Sequence, residues 1–357
     1  MSKSWENAEV LRSPMEVCWQ FDYSIGIDKL RSLYSKSKQA QWDAERDLDW
    51  SLEIDPSRPL IDEERFGLEQ LPFMRKLPKR QRETFRAHMT AYQLSQFLHG
   101  EQGALMTAAT LTHAVPDYEG KLYAATQTMD EARHVEAYQR YVEKLAVVYP
   151  IGIWLKKLID VTLTADHWVK IAIGMNMIVE GLALASFHNM RKATTCELLR
   201  ALTEGVLRDE SRHVAFGNVY VGDAIAQMEP DQREDIAQFT FEAVSLMAGA
   251  RAGGRGQPGG GALGSDPGFV AVLKNADIDP VDLGKAIAEA RADGFKITPP
   301  SDQVHAYKDL MMPALVRVGA ITDRSRALYD EAGIKIFADT SVLEAMEDGG
   351  TGTIELD

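Results

Sequence analysis

Only two cysteines, Cys18 and Cys196, occur among 357 residues, so no disulfide framework holds this chain and a reducing, cytoplasmic setting is expected. Positive charge is also in deficit. The 39 Lys and Arg face 53 Asp and Glu, giving a net charge of −14 and a pI near 5.1 with no basic patch, which argues against nucleic acid as a partner. Met1 to Gln20 lacks a basic segment followed by an apolar run, so no export signal is read there. Alternating strand patterns are almost absent. The glycine-rich stretch from Gly249 to Gly268 has neither a preceding strand nor Gly-Lys-Ser/Thr, which argues against a phosphate cradle and for a mobile loop or lid. Long apolar runs are few. Residues 171–190 approach the length of a membrane span, but Glu180 stands at their centre and Asn176, Ser186 and His188 are polar, so a buried bundle helix is expected and no membrane partner.

What is present is a duplicated pattern in a chain that is 45% hydrophobic, ample for a core. Asp130-Glu131-Ala132-Arg133-His134 and Asp209-Glu210-Ser211-Arg212-His213 are two copies of one block. Glu101 precedes Glu131 by 30 residues, Glu180 precedes Glu210 by 30, and the halves are offset by 79. On a helix, positions i and i+3 share a face, so Glu131 with His134 and Glu210 with His213 can each chelate. A chain that climbs 15 residues, turns and descends 15 returns to its starting height after about 22 Å each way. The turns fall at Val115-Pro116-Asp117-Tyr118, where Asp117 can cap the next helix, and at Ala193-Thr194-Thr195, where threonines supply the cap. All six side chains then lie in one layer. Four glutamates and two histidines so arranged are the inventory of a carboxylate-bridged two-metal site inside a four-helix bundle.

The two lone glutamates stand where charge is least expected. Glu101 is the only formally charged residue from Ala87 to Pro116, and Glu180 the only one from Ile171 to Met190. A buried carboxylate calls for a cation, a donor network or a proton. Hard oxygen donors disfavour copper and nitrogen donors disfavour magnesium and calcium, which leaves iron or manganese: two Fe ions, with Fe/Mn or Mn/Mn pairs suiting the same donors.

Helix periodicity divides the chain into residues 1–79, a lead-in with one helix from about Gly26 to Ala44; 80–248, the di-metal bundle and a following helix; 249–268, the glycine-rich loop; and 269–357, C-terminal helices and a frayed tail from Asp348. The bundle helices are read near 78–114, 117–147, 166–192 and 195–226, a further one from Pro230 to about Ala248, and later ones near 280–293 and 302–332. The fold class is all-α, a four-helix bundle with extra N-terminal and C-terminal helices.

The paired Asp-Glu-x-Arg-His blocks, each with its lone glutamate, resemble the ferritin-like di-iron carboxylate proteins, most of all the oxygenase branch that includes bacterial multicomponent monooxygenase hydroxylases and the ribonucleotide reductase small subunit. The likeness spans roughly 80–226, with a weaker extension over Trp42 to Trp50. It implies metal ligation by Glu101, Glu131, His134, Glu180, Glu210 and His213, and hydrogen bonds from the ligand histidines to Asp130 and Asp209, with Arg133 and Arg212 balancing charge. It also implies a dioxygen-activating oxygenase that hydroxylates or N-oxidises a small organic substrate, an external electron donor such as a reductase or ferredoxin, and a homodimer. Tyr138 matches the radical tyrosine of the reductase small subunit, which places it with Asp130 and Asp209 as a catalytic candidate; a packed core tyrosine is the other reading.

Departures narrow the choice. Leu184 stands where monooxygenase hydroxylases carry a threonine, and the tail from Thr351 to Asp357 lacks the tyrosine of the reductase subunit. Val206 stands where p-aminobenzoate N-oxygenases carry a third histidine, so that extra ligand is not expected, while N-oxidation stays open. A ferroxidase or iron-binding protein and a radical-generating subunit are the alternatives. Among the remaining residues, His99 is expected to face away from Glu101 and His188 to lie about 80° off the Glu180 face. Ala104, Leu105, Ala183 and Leu184 are expected to floor a substrate cavity, and Trp42 and Trp50 to pack or to lie on an electron path.

Overall fold

Proline and short polar turns punctuate long helices throughout. The computed structural model describes residues 8–55, 58–63, 65, 67–252 and 266–347. In chain order the main helices are α1 (Asp28–Gln39), α2 (Lys79–Ala114), α3 (Tyr118–Leu145), α4 (Ile153–Leu163), α5 (Trp168–Ala193), α6 (Glu197–Gln227), α7 (Pro230–Ala252), α8 (Pro267–Asn275) and α9 (Pro280–Ala292). Shorter helices follow at Ala306–Met311, Met312–Arg317, Asp323–Glu331 and Ser341–Glu347. No strand is present among the described residues; one isolated bridge pairs Ile61 with Thr194.

Helices α2 and α3 form one hairpin and α5 and α6 the other, and these four make the bundle, with α1 lying across α3 and α6. The core runs between them: Leu94, Leu111, Tyr123, Tyr138, Leu184, Leu202 and Phe216 are at most 0% exposed. Helix α5 is long and apolar enough to cross a membrane, but 83% of its most apolar window is buried within the protein, as suits a core helix. Within it, residues Ile173–Val179 widen into a π-helical segment immediately before Glu180.

The turns differ from expectation in their chemistry. Asp117 does not cap α3; its carboxylate accepts a hydrogen bond from the Tyr220 hydroxyl at 2.7 Å, tying the first hairpin to α6. The threonines at the second turn bind the chain of the lead-in instead of capping: Thr194 Oγ1 donates to the Leu60 carbonyl at 2.9 Å and Thr195 Oγ1 to that of Pro59. The expected helix over 302–332 is broken at Gly319, whose φ of 76° is a left-handed conformation that glycine adopts without strain. Helices α4, α8 and Ser341–Glu347 had no expectation attached to them. The glycine-rich loop lies mostly outside the described residues, as does the tail from Asp348.

Close approach of α4 to the bundle depends on two glycines. A Cβ at Gly103 would meet Ile159 Cδ1 at 2.9 Å, and one at Gly174 would collide with Thr162, whose Cγ2 would be 2.9 Å away. Thr162 is fully buried and its hydroxyl donates to the Leu158 carbonyl at 2.8 Å, so it cannot swing aside. Gly174→Ala should therefore lower stability by about 1–3 kcal/mol. A urea melt of the metal-free protein unchanged by the substitution would contradict this packing.

Candidate metal centre

The same-face spacing and the hairpin arithmetic do bring six side chains to one layer. Glu101 comes from α2, Glu131 and His134 from α3, Glu180 from α5, and Glu210 and His213 from α6. They form two overlapping quartets: Glu101, Glu131, His134 and Glu210, and Glu131, Glu180, Glu210 and His213, with the donor atoms of each within 4.8 Å of one another. Glu131 and Glu210 belong to both. All six are buried, none more than 4% exposed.

The imidazoles are oriented alike. His134 Nδ1 faces inward, 3.2 Å from Glu101 Oε2, 3.3 Å from Glu131 Oε2 and 3.2 Å from Glu210 Oε1. His213 Nδ1 faces Glu131 Oε1 and Glu210 Oε2, each at 3.1 Å. The outer nitrogens reach the aspartates crosswise between the repeats: His134 Nε2 to Asp209 Oδ2 at 3.0 Å, and His213 Nε2 to Asp130 Oδ2 at 3.4 Å. An Nε2–H held by a carboxylate leaves the Nδ1 lone pair free for a cation.

A layer of side chains anchors the aspartates. Arg133 spans both, its Nη2 donating to Asp130 Oδ1 at 2.5 Å and to Asp209 Oδ2 at 2.8 Å, while Arg212 pairs with Asp209 alone. From the lead-in, Ser37 Oγ and Gln41 Nε2 donate to Asp130, and Trp42 Nε1 donates to Asp209 Oδ2 at 2.7 Å. Trp42 also lies under the Arg133 guanidinium, whereas Trp50 is spent on the Ala44 carbonyl. Ser37 and Gln41 carried no signal in the sequence, because nothing local marks a lead-in segment that will cross two helices. On the far side of the cluster Gln127 Nε2 donates to Glu131 Oε1 at 3.0 Å, and Gln127 Oε1 accepts from Asn176 Nδ2 at 3.0 Å.

Electrostatics divide the cluster. Burial, reinforced by Glu210, pushes the carboxyls of Glu101 and Glu180 well above their ordinary range. Burial also opposes ionisation of Glu131, but His213 and His134 outweigh it and hold that carboxyl low. For Asp209 burial is likewise overcome, by the hydrogen bond from His134 and by Arg212 and Arg133. Both histidines are raised, because the carboxylates around them overcome burial. Two buried oxygens, Glu131 Oε2 and Glu210 Oε1, make no hydrogen bond even though His134 Nδ1 lies 3.3 and 3.2 Å from them. They belong to the two glutamates shared by both quartets, which is where a pair of cations would find bridging donors. The donor set and these orphaned atoms fit two metal ions.

A cavity of about 160 Å³ opens on the Glu101 and Glu180 side, lined also by Ala104, Ala183, Leu155, Val179, Leu182 and Phe187. Of the four expected floor residues, Ala104 and Ala183 line it; Leu105 and Leu184 do not, because Leu184 packs fully buried in the core and Leu105 is half-buried on another face of α2. Leu155 comes from α4, whose presence had not been read. His99 turns away to the Tyr149 carbonyl at 2.8 Å. His188 is buried off the cavity with both ring nitrogens unpartnered, and burial pulls its pKa down to about 4. Tyr138 is buried between Phe97 and Phe187, and its hydroxyl has no hydrogen-bond partner, so it is packed without the polar contact expected of a core tyrosine.

The family description of p-aminobenzoate N-oxygenase AurF matches residues 27–253 of the chain. Solved structures similar to it include a variant of an R2-like ligand-binding oxidase with an anaerobically reconstituted Mn/Fe cofactor, 18% identical over 78% of this chain and 96% of that one, with a TM-score of 0.47. An aerobically reconstituted variant is 16% identical over 85% and 95%, with the same TM-score of 0.47. No match is found among curated proteins. The family match takes in both copies of the motif and every helix of the bundle, and on it the chain belongs to the p-aminobenzoate N-oxygenase AurF family, as a ferritin-like di-iron oxygenase.

Proposed function

We propose that Glu101, Glu131, His134, Glu180, Glu210 and His213 hold two iron ions, and that the protein uses them to oxygenate a small, mainly apolar organic substrate, an arylamine nitrogen being the favoured target. The observation that carries this reading is the pair of shared glutamates with unbonded oxygens at the centre of a buried quartet on each side. Bound there, the metals would supply the electrons that reduce dioxygen and the oxidising equivalent passed to substrate. The protein's own contribution is ligation, orientation and dryness. Asp130 and Asp209 fix the imidazole tautomers, Arg133 neutralises both aspartates, and the apolar walls of Ala104, Leu182 and Phe187 keep water from the reacting face.

Substrate shape is suggested by a second chamber of about 360 Å³ that shares Gln96, Phe97 and Ser186 with the inner one and is lined by Arg65, Gln93, Asn189 and Gln303. A molecule with an apolar reacting end and a polar outer end suits this pair, and the N-oxygenation named for the family fits that pattern. An external reductase or ferredoxin recharges the site, with Trp42, bonded to the aspartate that holds His134, as the inner end of the route. A homodimer is part of the reading, with the exposed Met106 of α2 and Met129 of α3 as candidate contacts. The unpaired cysteines suit a cytoplasmic setting.

The test is dioxygen uptake by iron-loaded, chemically reduced protein across a panel of arylamines. Uptake that depends on the amine and yields oxygenated nitrogen supports the proposal. Iron oxidation with no organic product would replace it with a ferroxidase, and a stable tyrosyl signal lost in Tyr138→Phe would assign Tyr138 a radical role.

A further inference from the structure

The two halves of the cluster are related by the 79-residue offset, yet they are not furnished alike. Gln127 lies four residues before Glu131, and the matching position before Glu210 is Val206. Asn176 lies four residues before Glu180, and the matching position before Glu101 is Phe97. Each repeat thus carries one amide and one apolar side chain at these positions, and the two amides meet on the Glu131 and Glu180 side of the cluster.

The amides are engaged with the cluster. Gln127 is 1% exposed and Asn176 is fully buried. Gln127 Nε2 is 3.0 Å from Glu131 Oε1 and 3.5 Å from Glu180 Oε1. Its Oε1 accepts from Asn176 Nδ2 at 3.0 Å, which fixes the direction of the amide, since a flipped one would set its oxygen against two carboxylates. Asn176 reaches this place from the π-helical segment, and α6 makes room for it at Gly217, where an added Cβ would lie 2.9 Å from Asn176 Cβ.

We propose that Gln127, positioned by Asn176, tethers Glu131 and Glu180 and so makes the two metal positions inequivalent: a pre-organised, tighter one at Glu180 and His213, and a more adaptable one at Glu101 and His134 beside Phe97. The proposal rests on the six-residue metal reading. Hydrogen bonds to ligand carboxylates fix their orientation, and their loss costs metal affinity. Glu101 has no such tether, so its carboxylate is the one free to shift on the cavity side when a ligand or substrate enters. Gln127 and Asn176 are positioning residues here, acting through the glutamates.

The experiment is a Mn(II) titration of the metal-free protein followed by electron paramagnetic resonance, which counts bound and free ion without any turnover. The unaltered protein is expected to fill in two resolved steps. Gln127→Leu should weaken the tighter step by about 10-fold or more and move the other by less than about threefold. Gly217→Ala, which displaces Asn176 without touching a candidate ligand, should act on the same step in the same direction. Equal weakening of both steps, or no change in either, would overturn the proposal while leaving the metal reading intact. Failure of the unaltered protein to bind Mn(II) would overturn both.

Discussion

Glu210→Ala is expected to empty both metal positions at once, whereas Glu101→Ala is expected to lose one. The difference follows from the quartets: Glu210 belongs to both and Glu101 to a single one. Removing a shared donor takes a ligand from each ion and leaves the two remaining sets too sparse to close. Turnover should fall by more than about 100-fold, beyond the loss typical of partners that only orient ligands. The helices should persist, because the alanine leaves the buried apolar packing of α6 at Leu202, Val206 and Phe216 in place. Elemental analysis after iron reconstitution decides the matter, and two ions per chain retained in Glu210→Ala would reject its place as a bridging donor.

Glu180→Leu is expected to make the metal-free protein more stable and the metal-supplemented protein no better for it. In the absence of cations Glu180 is fully buried with its carboxyl raised by burial and by Glu210, on an inner wall that already holds Leu182, Val179 and Phe187. An apolar side chain there relieves the penalty and should add about 1–3 kcal/mol. What is lost is linkage, since an ion present at 100 times its Kd stabilises by about 2.7 kcal/mol. The pH dependence has a definite sign. Glu101, Glu180, His134 and His213 have raised values in the fold, so the folded chain holds extra protons; the stability they contribute is full below their ordinary values of 4.5 and 6.5 and is lost as pH climbs through the raised ones. Glu131, Glu210 and Asp209 are lowered and act oppositely, but only below their ordinary values of 4.5 and 3.8. The Tm of the metal-free protein should therefore fall from about pH 6 to about pH 9. Metal loading, which displaces those protons, should widen the Tm difference as pH rises. A metal-free Tm that increases over this window, or a Glu180→Leu variant less stable than its parent, would contradict the electrostatic account.

The six clustered residues were legible because each signal is local. Glu131 and His134 sit at helical chelating distance, Glu101 and Glu180 interrupt long uncharged runs, and the hairpin spacing is periodic. The partners that orient them were not, because they are set by contacts between helices. That His134 is held by Asp209, from the other repeat, follows only once α3 and α6 lie side by side. Ser37, on α1, and Gln41, just beyond its end, are ordinary residues until the lead-in crosses the bundle. The π-helical turn before Glu180 left no trace because every residue from Ile173 to Val179 is buried, so the segment has no one-sided apolar pattern whose phase could shift. Asp117 looked like a cap because a distant tyrosine cannot be seen from the turn. Gln127 could have been noticed: it shares a face with Glu131, and its repeat-related residue is valine.

Anomalous diffraction from a crystal of the iron-reconstituted protein, measured on both sides of the iron edge, tests the central claim most directly. Two peaks about 3.5–4 Å apart are predicted, one beside His134 and Glu101, the other beside His213 and Glu180, with Glu131 and Glu210 between them. No peak within that layer, or a single ion bound by other side chains, would contradict it.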